Sequence, residues 1–362
     1  MVLLERAQAG TVDGLSGLQG LSRTLQQEWP DVDISTVSMG SNTSAIHVVS
    51  AVGGGVGDVR LSGESVDVQI VGGRPRLVPQ TAVSGHVWLV SGGARGVTAA
   101  CIIELARRQP GSVFVLAGRS GREPWPDDLP HAADLKSLRA ALIAAARERG
   151  EKPALPEIDR QARKLLAGQE ISETLAVIER VGGVAHYLPL DVGDAGAVSS
   201  AVAQIVSRHG PVTGLVHGAG VLADSLAEKK TRDEVARVFQ PKVSGLINLL
   251  GALDMNALRH VGLFSSAAAV FGNVGQSDYA MANGWLNAVA WQLYRTLPEV
   301  QVKSFCWGPW EGGMVDATLA AHFAEKGIGL IGLEDGARIF ADQMLQGARD
   351  EVQLLIGDEW SA

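Results

Sequence analysis

From residue 85 onward the chain alternates short, continuous apolar runs with longer stretches in which Ala, Ile and Leu recur every three or four positions. The runs are HVWLVSGG, SVFVLAG, AHYLPLDV, VTGLVHGAG, RHVGLFSS and VQVKSFCWG. A strand buried on both faces of a parallel sheet needs an unbroken apolar run, whereas TAACIIELARRQ has the spacing of a core-facing helix. Such alternation predicts a doubly wound parallel α/β sheet with right-handed crossovers. The second crossover is interrupted over 121–180, where a Pro-rich opening precedes the helical stretches LKSLRAALIAAARER and ISETLAVIERV. This insert reads as a helical elaboration of the same domain.

Residues 1–82 follow another rhythm. TVDGLSGLQGLSRTLQQEWP is amphipathic and stops at Pro30, and the strand-like pieces DISTVSM, AIHVVS, DVRLSG and SVDVQIV follow between Gly-rich turns. GGRPRLVPQTAVSG then reads as a linker, so a partial α/β unit over 1–82 precedes the main domain over 83–362. A chain of 362 residues, 46% hydrophobic with 44 glycines, suits packed α/β layers rather than disorder. The net charge of −8 argues against general nucleic-acid binding and against an anionic membrane surface. No apolar run reaches the roughly 18 residues a bilayer crossing needs, and no basic-then-apolar signal opens the chain. Cys101 and Cys306 stand far apart and the eight histidines are scattered, so no metal is expected and a cytoplasmic, reduced protein is the plain reading.

Chemistry concentrates where strands end. VSGGARGVTAA follows the first strand of the main domain and opens its first helix. Gly92, Gly93 and Gly96, with Ser91 before them and Val97 after, form a turn that brings backbone close to a diphosphate at the positive end of a helix. Thr98 stands at the last position of the spaced-glycine pattern and asks for a different helix–strand approach there. Such turns also occur as simple punctuation. The second strand ends in LAGRS, where NAD enzymes place an acid; Arg119 and Ser120, together with Arg95, favour a 2′-phosphate and therefore NADPH. The alternative is that Arg119 caps the strand in solvent. Asp191 and Val192 end the third strand near the adenine position, and His217, Gly218, Ala219 and Gly220 end the fourth beside the nicotinamide ribose.

A second constellation follows. Ser266 ends the strand LFSS, and Tyr279 lies 13 residues on, with Asn283 one helical turn beyond it. A tyrosine serves as a proton donor for a ketone only if a cation pulls its pKa down from about 10. Lys242 in VFQPKVSGLINLL is the candidate cation, 37 residues before Tyr279, early in a helix whose Val243, Leu246, Leu249 and Leu250 face the sheet. Taken alone, a lysine at a helix start is usually solvated.

With these residues in view, 83–362 resembles the ketoreductase domain of polyketide and polyunsaturated-fatty-acid synthases, a branch of the short-chain dehydrogenase/reductase superfamily. HGAGVLADS, FGNVGQSDYAMAN and WGPWEGGMV resemble the polyunsaturated-fatty-acid subgroup, and 1–82 resembles the later part of the family's cofactor-free structural subdomain. The resemblance implies a Rossmann-like doubly wound parallel sheet and an exchange of the usual Lys and Asn positions, here Lys242, Ser266, Tyr279 and Asn283 as the catalytic set. It further implies NADPH-dependent reduction of a 3-oxoacyl thioester carried by a phosphopantetheinylated acyl carrier protein, among neighbouring synthase domains. For stereochemistry it points to Asp224 in LAD, where the family's R-specific members carry LDD, and to Phe271 where S-specific members carry tryptophan. Trp310 and Met314 would contact substrate, Met314 and Leu319 within a lid over DATLAAHFAEKGIGLI, unless that helix packs permanently on the core. Lys229, Lys230 and Arg232 are either a carrier-docking patch or a solvated charge run. A free-standing reductase of small ketones and an inactive reductase-like module remain alternatives.

Overall fold

The computed structural model describes residues 1–6, 17–39, 58–62, 65–68, 72–78, 85–127, 129–130, 132, 134–152, 154–312, 321, 323–325 and 327–357. The N-terminal part holds β1 (Val2–Arg6), α1 (Leu18–Glu28), β2 (Ser35–Met39), β3 (Val59–Ser62) and β4 (Ser65–Val68). Its strands lie in the order β1-β2-β3-β4, parallel except for β3 against β4. Val37, Val59 and Leu61 make its small core. The strand expected in AIHVVS lies outside the described residues. β1 was not announced by the pattern, because five residues of VLLER carry no clear period.

The main domain begins with β5 (Val87–Ser91), α2 (Gly96–Arg108) and β6 (Val113–Gly118). The insert supplies α3 (Leu135–Glu148) and α4 (Leu155–Arg180). Then come β7 (Val184–Pro189), α5 (Ala195–His209), β8 (Gly214–His217), α6 (Arg232–Phe239) and α7 (Gly245–Ala252). The rest is β9 (His260–Ser266), α8 (Ala268–Phe271), α9 (Ser277–Thr296), β10 (Gln301–Trp307), α10 (Leu333–Gln346) and β11 (Gln353–Ile356). Seven strands form one sheet in the order β11-β10-β9-β8-β5-β6-β7, with every neighbouring pair parallel. This is the expected doubly wound sheet. Strand order reverses between β5 and β8, which opens a crevice beyond their C-terminal ends.

Alternation along the strands builds two cores. Leu89, Leu215, Leu263 and Val302 face α5, α7 and α9, while Trp88, Val90, Phe264 and Phe305 face α2 and α10. The insert is anchored at both ends of α4. Ile158, Ala162 and Leu165 pack on Leu138 and Leu142 of α3, and Ile171, Leu175 and Ile178 join the sheet core. The pattern gave only the second half of α4; its first half is exposed on most sides and carries little period. α10 and β11 were also not anticipated, although Ala337, Phe340, Ala341 and Met344 follow helical spacing and face the sheet.

The two parts meet along α1 and α9. Gly20 lets the helices approach so closely that a Cβ there would stand 2.5 Å from the Ala280 carbonyl oxygen. The first helix therefore rests directly on the helix that carries Tyr279.

Candidate active site

Lys242 is placed by an irregularity. Between α6 and α7, Gln240–Ser244 form a π-helical turn. Pro241 has no N–H to continue the α-helical ladder, and the wider turn accommodates it. Lys242 is 3% exposed, and its Nζ donates to the Phe264 carbonyl of β9 at 3.0 Å. Its stem lies over Gly220, where a Cβ would come within 2.8 Å of Lys242 Cε. Burial lowers the Lys242 pKa from 10.5 to about 7.

The main chain of Lys242 is held as firmly as its side chain. His217 Nε2 lies 3.0 Å from the Lys242 carbonyl oxygen and Nδ1 lies 2.7 Å from Ser91 Oγ. A carbonyl only accepts, so Nε2 carries the proton and Ser91 donates to Nδ1. Burial first, and the Lys242 charge second, hold the His217 pKa down to about 3, so the imidazole is neutral. Ser91 and His217, expected beside a cofactor, thus turn their side chains inward and link the ends of β5 and β8 to the lysine turn.

Ser266 ends β9, and its Oγ accepts from Ala268 N at 3.1 Å. Tyr279 and Asn283 lie one turn apart on α9; Asn283 Nδ2 donates to the Tyr279 carbonyl at 2.8 Å. Ser265 Oγ donates to the Asn283 carbonyl at 3.1 Å, a tie between β9 and α9 that sequence reasoning missed. Lys242 Nζ sits 5.3 Å from the centroid of the Tyr279 ring. Burial raises the Tyr279 pKa, hydrogen bonds with Asn283 and Ser266 oppose the rise, and the Asp224 charge adds to it. The phenol therefore keeps its proton, rather than having the lowered pKa expected from sequence. All four residues converge, and together they can hold and protonate a carbonyl oxygen.

The glycine loop at the crevice fits a dinucleotide. A Cβ at Gly92, whose φ is +70°, would stand 2.8 Å from Ala219 N, and one at Gly93 would strike Val90 Cγ1 at 2.1 Å. Gly96, with φ +60°, faces open space at the first residue of α2. Its N–H donates to Glu170 Oε1 at 2.8 Å, and Arg95 Nε donates to Glu170 Oε2 at 2.7 Å. A carboxylate from the insert thus occupies the positive end of α2, evidence that this end takes an anion. The approach expected of a third glycine is provided from the other side: a Cβ at Gly218 would meet Thr98 Oγ1 at 2.6 Å. Val97 is half-buried at the start of α2 and Arg119 is exposed at the end of β6. The Ser120 carbonyl accepts from Tyr187 Oη at 2.6 Å. Asp191 accepts from Gly193 N at 2.9 Å, and the carbonyl of buried Val192 accepts from Asn248 Nδ2 at 2.9 Å.

Other expectations are corrected. Trp310 does not face a substrate cleft; it is 5% exposed, packs edge-on to Trp307 at 4.7 Å and lies against Gly336 of α10. Apolar area on a ring that size is better buried under the helix, which the sequence reading did not anticipate. Lys230 is neither a docking residue nor solvated, since its side chain is 4% exposed and pairs with Asp278 at 2.8 Å. Asp224 is exposed and accepts from Gln276 Nε2 at 3.1 Å, and Phe271 is half-buried, its carbonyl accepting from Gln27 Nε2 at 2.8 Å. Met314, Leu319 and most of the expected lid lie outside the described residues. Among the described residues no helix is long and apolar enough to cross a membrane.

The comparisons agree with this geometry. Residues 86–312 match the model of the KR domain family. The chain is 36% identical over 378 residues to a large subunit of the polyunsaturated fatty acid synthase of Thraustochytrium sp., covering 98% of this chain and 13% of that protein. It is 32% identical over 236 residues to the polyketide synthase PksN of Bacillus subtilis, covering 63% of this chain and 3% of the relative. The chain therefore spans only a small part of either protein. Among solved structures, a ketoreductase from the first module of phoslactomycin biosynthesis in Streptomyces sp. HK803 superposes with a TM-score of 0.72 at 22% identity, covering 99% of this chain and 75% of that one. A ketoreductase domain from the bacillaene assembly line superposes at 0.71 and 21% identity, covering 98% and 76%. With the parallel sheet, the glycine loop and the converged Lys, Ser, Tyr and Asn, these matches establish that the chain belongs to the KR domain family, the nicotinamide-dependent ketoreductase domains of polyketide and polyunsaturated-fatty-acid synthases.

Proposed function

We propose that this domain uses NADPH to reduce the 3-oxo group of an acyl-carrier-protein-bound thioester, giving the 3R-hydroxyacyl thioester. The observation that carries the reading is the convergence of Lys242 with Tyr279 from separate elements. When bound, the nicotinamide cofactor supplies the hydride that C3 accepts. Ser266 and Tyr279 hold the carbonyl oxygen, and Tyr279 transfers its proton to that oxygen as C3 is reduced. The charged form of Lys242 stabilises the phenolate left behind, and Asn283 anchors the helix geometry around it. Arg95, Arg119 and Ser120 favour the 2′-phosphate of NADPH over NADH. Asp224 beside Tyr279 supports R selectivity. The partners in this reading are a phosphopantetheinylated acyl carrier protein and the neighbouring domains of a cytoplasmic synthase. A partial structural subdomain over 1–82 and a catalytic subdomain over 83–362 complete it.

The test is turnover of a 3-oxoacyl carrier thioester with NADPH, with the product configuration read from the same reaction. Tyr279→Phe should lower turnover by roughly 100-fold or more while NADPH binding, followed by fluorescence, stays near wild type. Near-normal turnover in that variant would overturn the assignment.

A further inference from the structure

Two segments flank the tyrosine: the one carrying Asp224, which runs from β8 toward α6, and the one that leads into α9. Both are irregular, yet they are joined at several points. Ser225 N donates to the Gly275 carbonyl at 2.9 Å. Lys230 Nζ donates to the Ala223 carbonyl at 2.9 Å, the Gly275 carbonyl at 3.1 Å and Asp278 Oδ1 at 2.8 Å. An ammonium has three N–H donors, so every one is used. Asp278 Oδ1 also accepts from the Tyr279 amide at 2.8 Å. From the opposite side, Glu28 at the end of α1 accepts from Gly275 N at 2.9 Å and Ala227 N at 2.7 Å.

We propose that the buried Lys230–Asp278 pair is a positioning device that fixes the Asp224 segment against the start of the tyrosine helix and so sets which face of the ketone meets the cofactor. This rests on the ketoreductase reading above. The side chains are 4% and 2% exposed, so the pair is shielded from solvent. A buried ion pair of this kind seldom adds stability over an apolar pair of similar size, but it does fix which groups meet. Here two of the three acceptors are main-chain carbonyls, one from each flanking segment. Removing the pair therefore frees the segments relative to each other without opening the sheet. Asp224 touches the outer segment's partner, Gln276, and would move with it.

The double variant Lys230→Met/Asp278→Leu tests this, because it removes both charges together and leaves no buried ion unpaired. Hydrogen exchange followed by mass spectrometry should show amides in 222–230 and 272–278 exchanging about tenfold faster or more, with strands β8 and β9 unchanged. The share of the minor 3-hydroxy enantiomer should rise about tenfold while the NADPH Kd moves less than about threefold. Wild-type exchange in both segments would overturn the proposal. So would faster exchange with an unchanged enantiomer ratio. Failure of the wild-type chain to reduce any 3-oxoacyl thioester would instead refute the function reading, and the exchange result would still decide whether the pair locks the two segments.

Discussion

The Lys242 ammonium stands 5.3 Å from the centroid of the Tyr279 ring, although the two residues come from a π-turn and from a helix that β9 separates in sequence. The lysine is held there at the expense of its own charge, since burial lowers its pKa to about 7.

That shift makes stability depend on pH. The unfolded lysine binds its proton up to about pH 10.4, whereas the folded one releases it near 7. Between those values the unfolded state holds more protons, so stability rises with pH. Below pH 7 both states are protonated and the burial penalty is fully present. Lys242→Met abolishes this contribution. From pH 7 to 10 the wild type should gain on the order of 3 kcal/mol relative to the variant, read from urea midpoints at each pH. Parallel curves would show that the lysine is not titrating in the fold.

Asn283 is wholly buried, and its Nδ2 bonds the Tyr279 carbonyl at 2.8 Å. Its Oδ1 is buried without a protein partner, which suits a bridging water in the proton path. Asn283→Ala removes both functions. Turnover should fall about 10- to 100-fold with little change in cofactor Kd, and steady-state kinetics beside a fluorescence titration would check this. A pure rise in KM would place Asn283 in substrate binding instead.

Glu170 competes for the groups that a nucleotide phosphate would use, taking both Gly96 N and Arg95 Nε. Glu170→Gln leaves a neutral acceptor there and frees the guanidinium. NADPH should then bind about three- to tenfold more tightly at low salt, and the advantage should shrink as salt rises. Weaker binding would mean that Glu170 orients Arg95 rather than masking it.

The sheet was legible because its central strands are apolar on both faces, so VWLVS and VGLFSS leave little choice of element. The catalytic set was legible through type and spacing, with the lysine recognised by resemblance. What escaped were contacts between segments distant in sequence. Nothing local in TLQQE says that Glu28 reaches Gly275, and nothing in EKKTR says that Lys230 folds inward to Asp278. Trp310 escaped for a related reason: α10, which covers it, lies beyond the motif that contains it. Burial by a later element is a property of the fold, not of the residue's own neighbourhood.

The contact of α1 with α9 makes the last prediction. At Gly20 a Cβ would lie 2.5 Å from the Ala280 carbonyl oxygen and 2.7 Å from its carbon, both main-chain atoms that cannot rotate away. Gly20→Ala raises helix propensity by about 1 kcal/mol, so propensity alone predicts a more stable protein. The close contact acts against it, because overpacking at a rigid interface costs roughly 1–3 kcal/mol. The clash should win, lowering the thermal midpoint. Because α9 carries Tyr279 and Asn283, turnover should fall as well, even at temperatures where the variant is fully folded. Calorimetry together with kinetics well below the midpoint would separate the two effects. A stabilised, fully active variant would mean that α1 can move away from the catalytic helix without consequence.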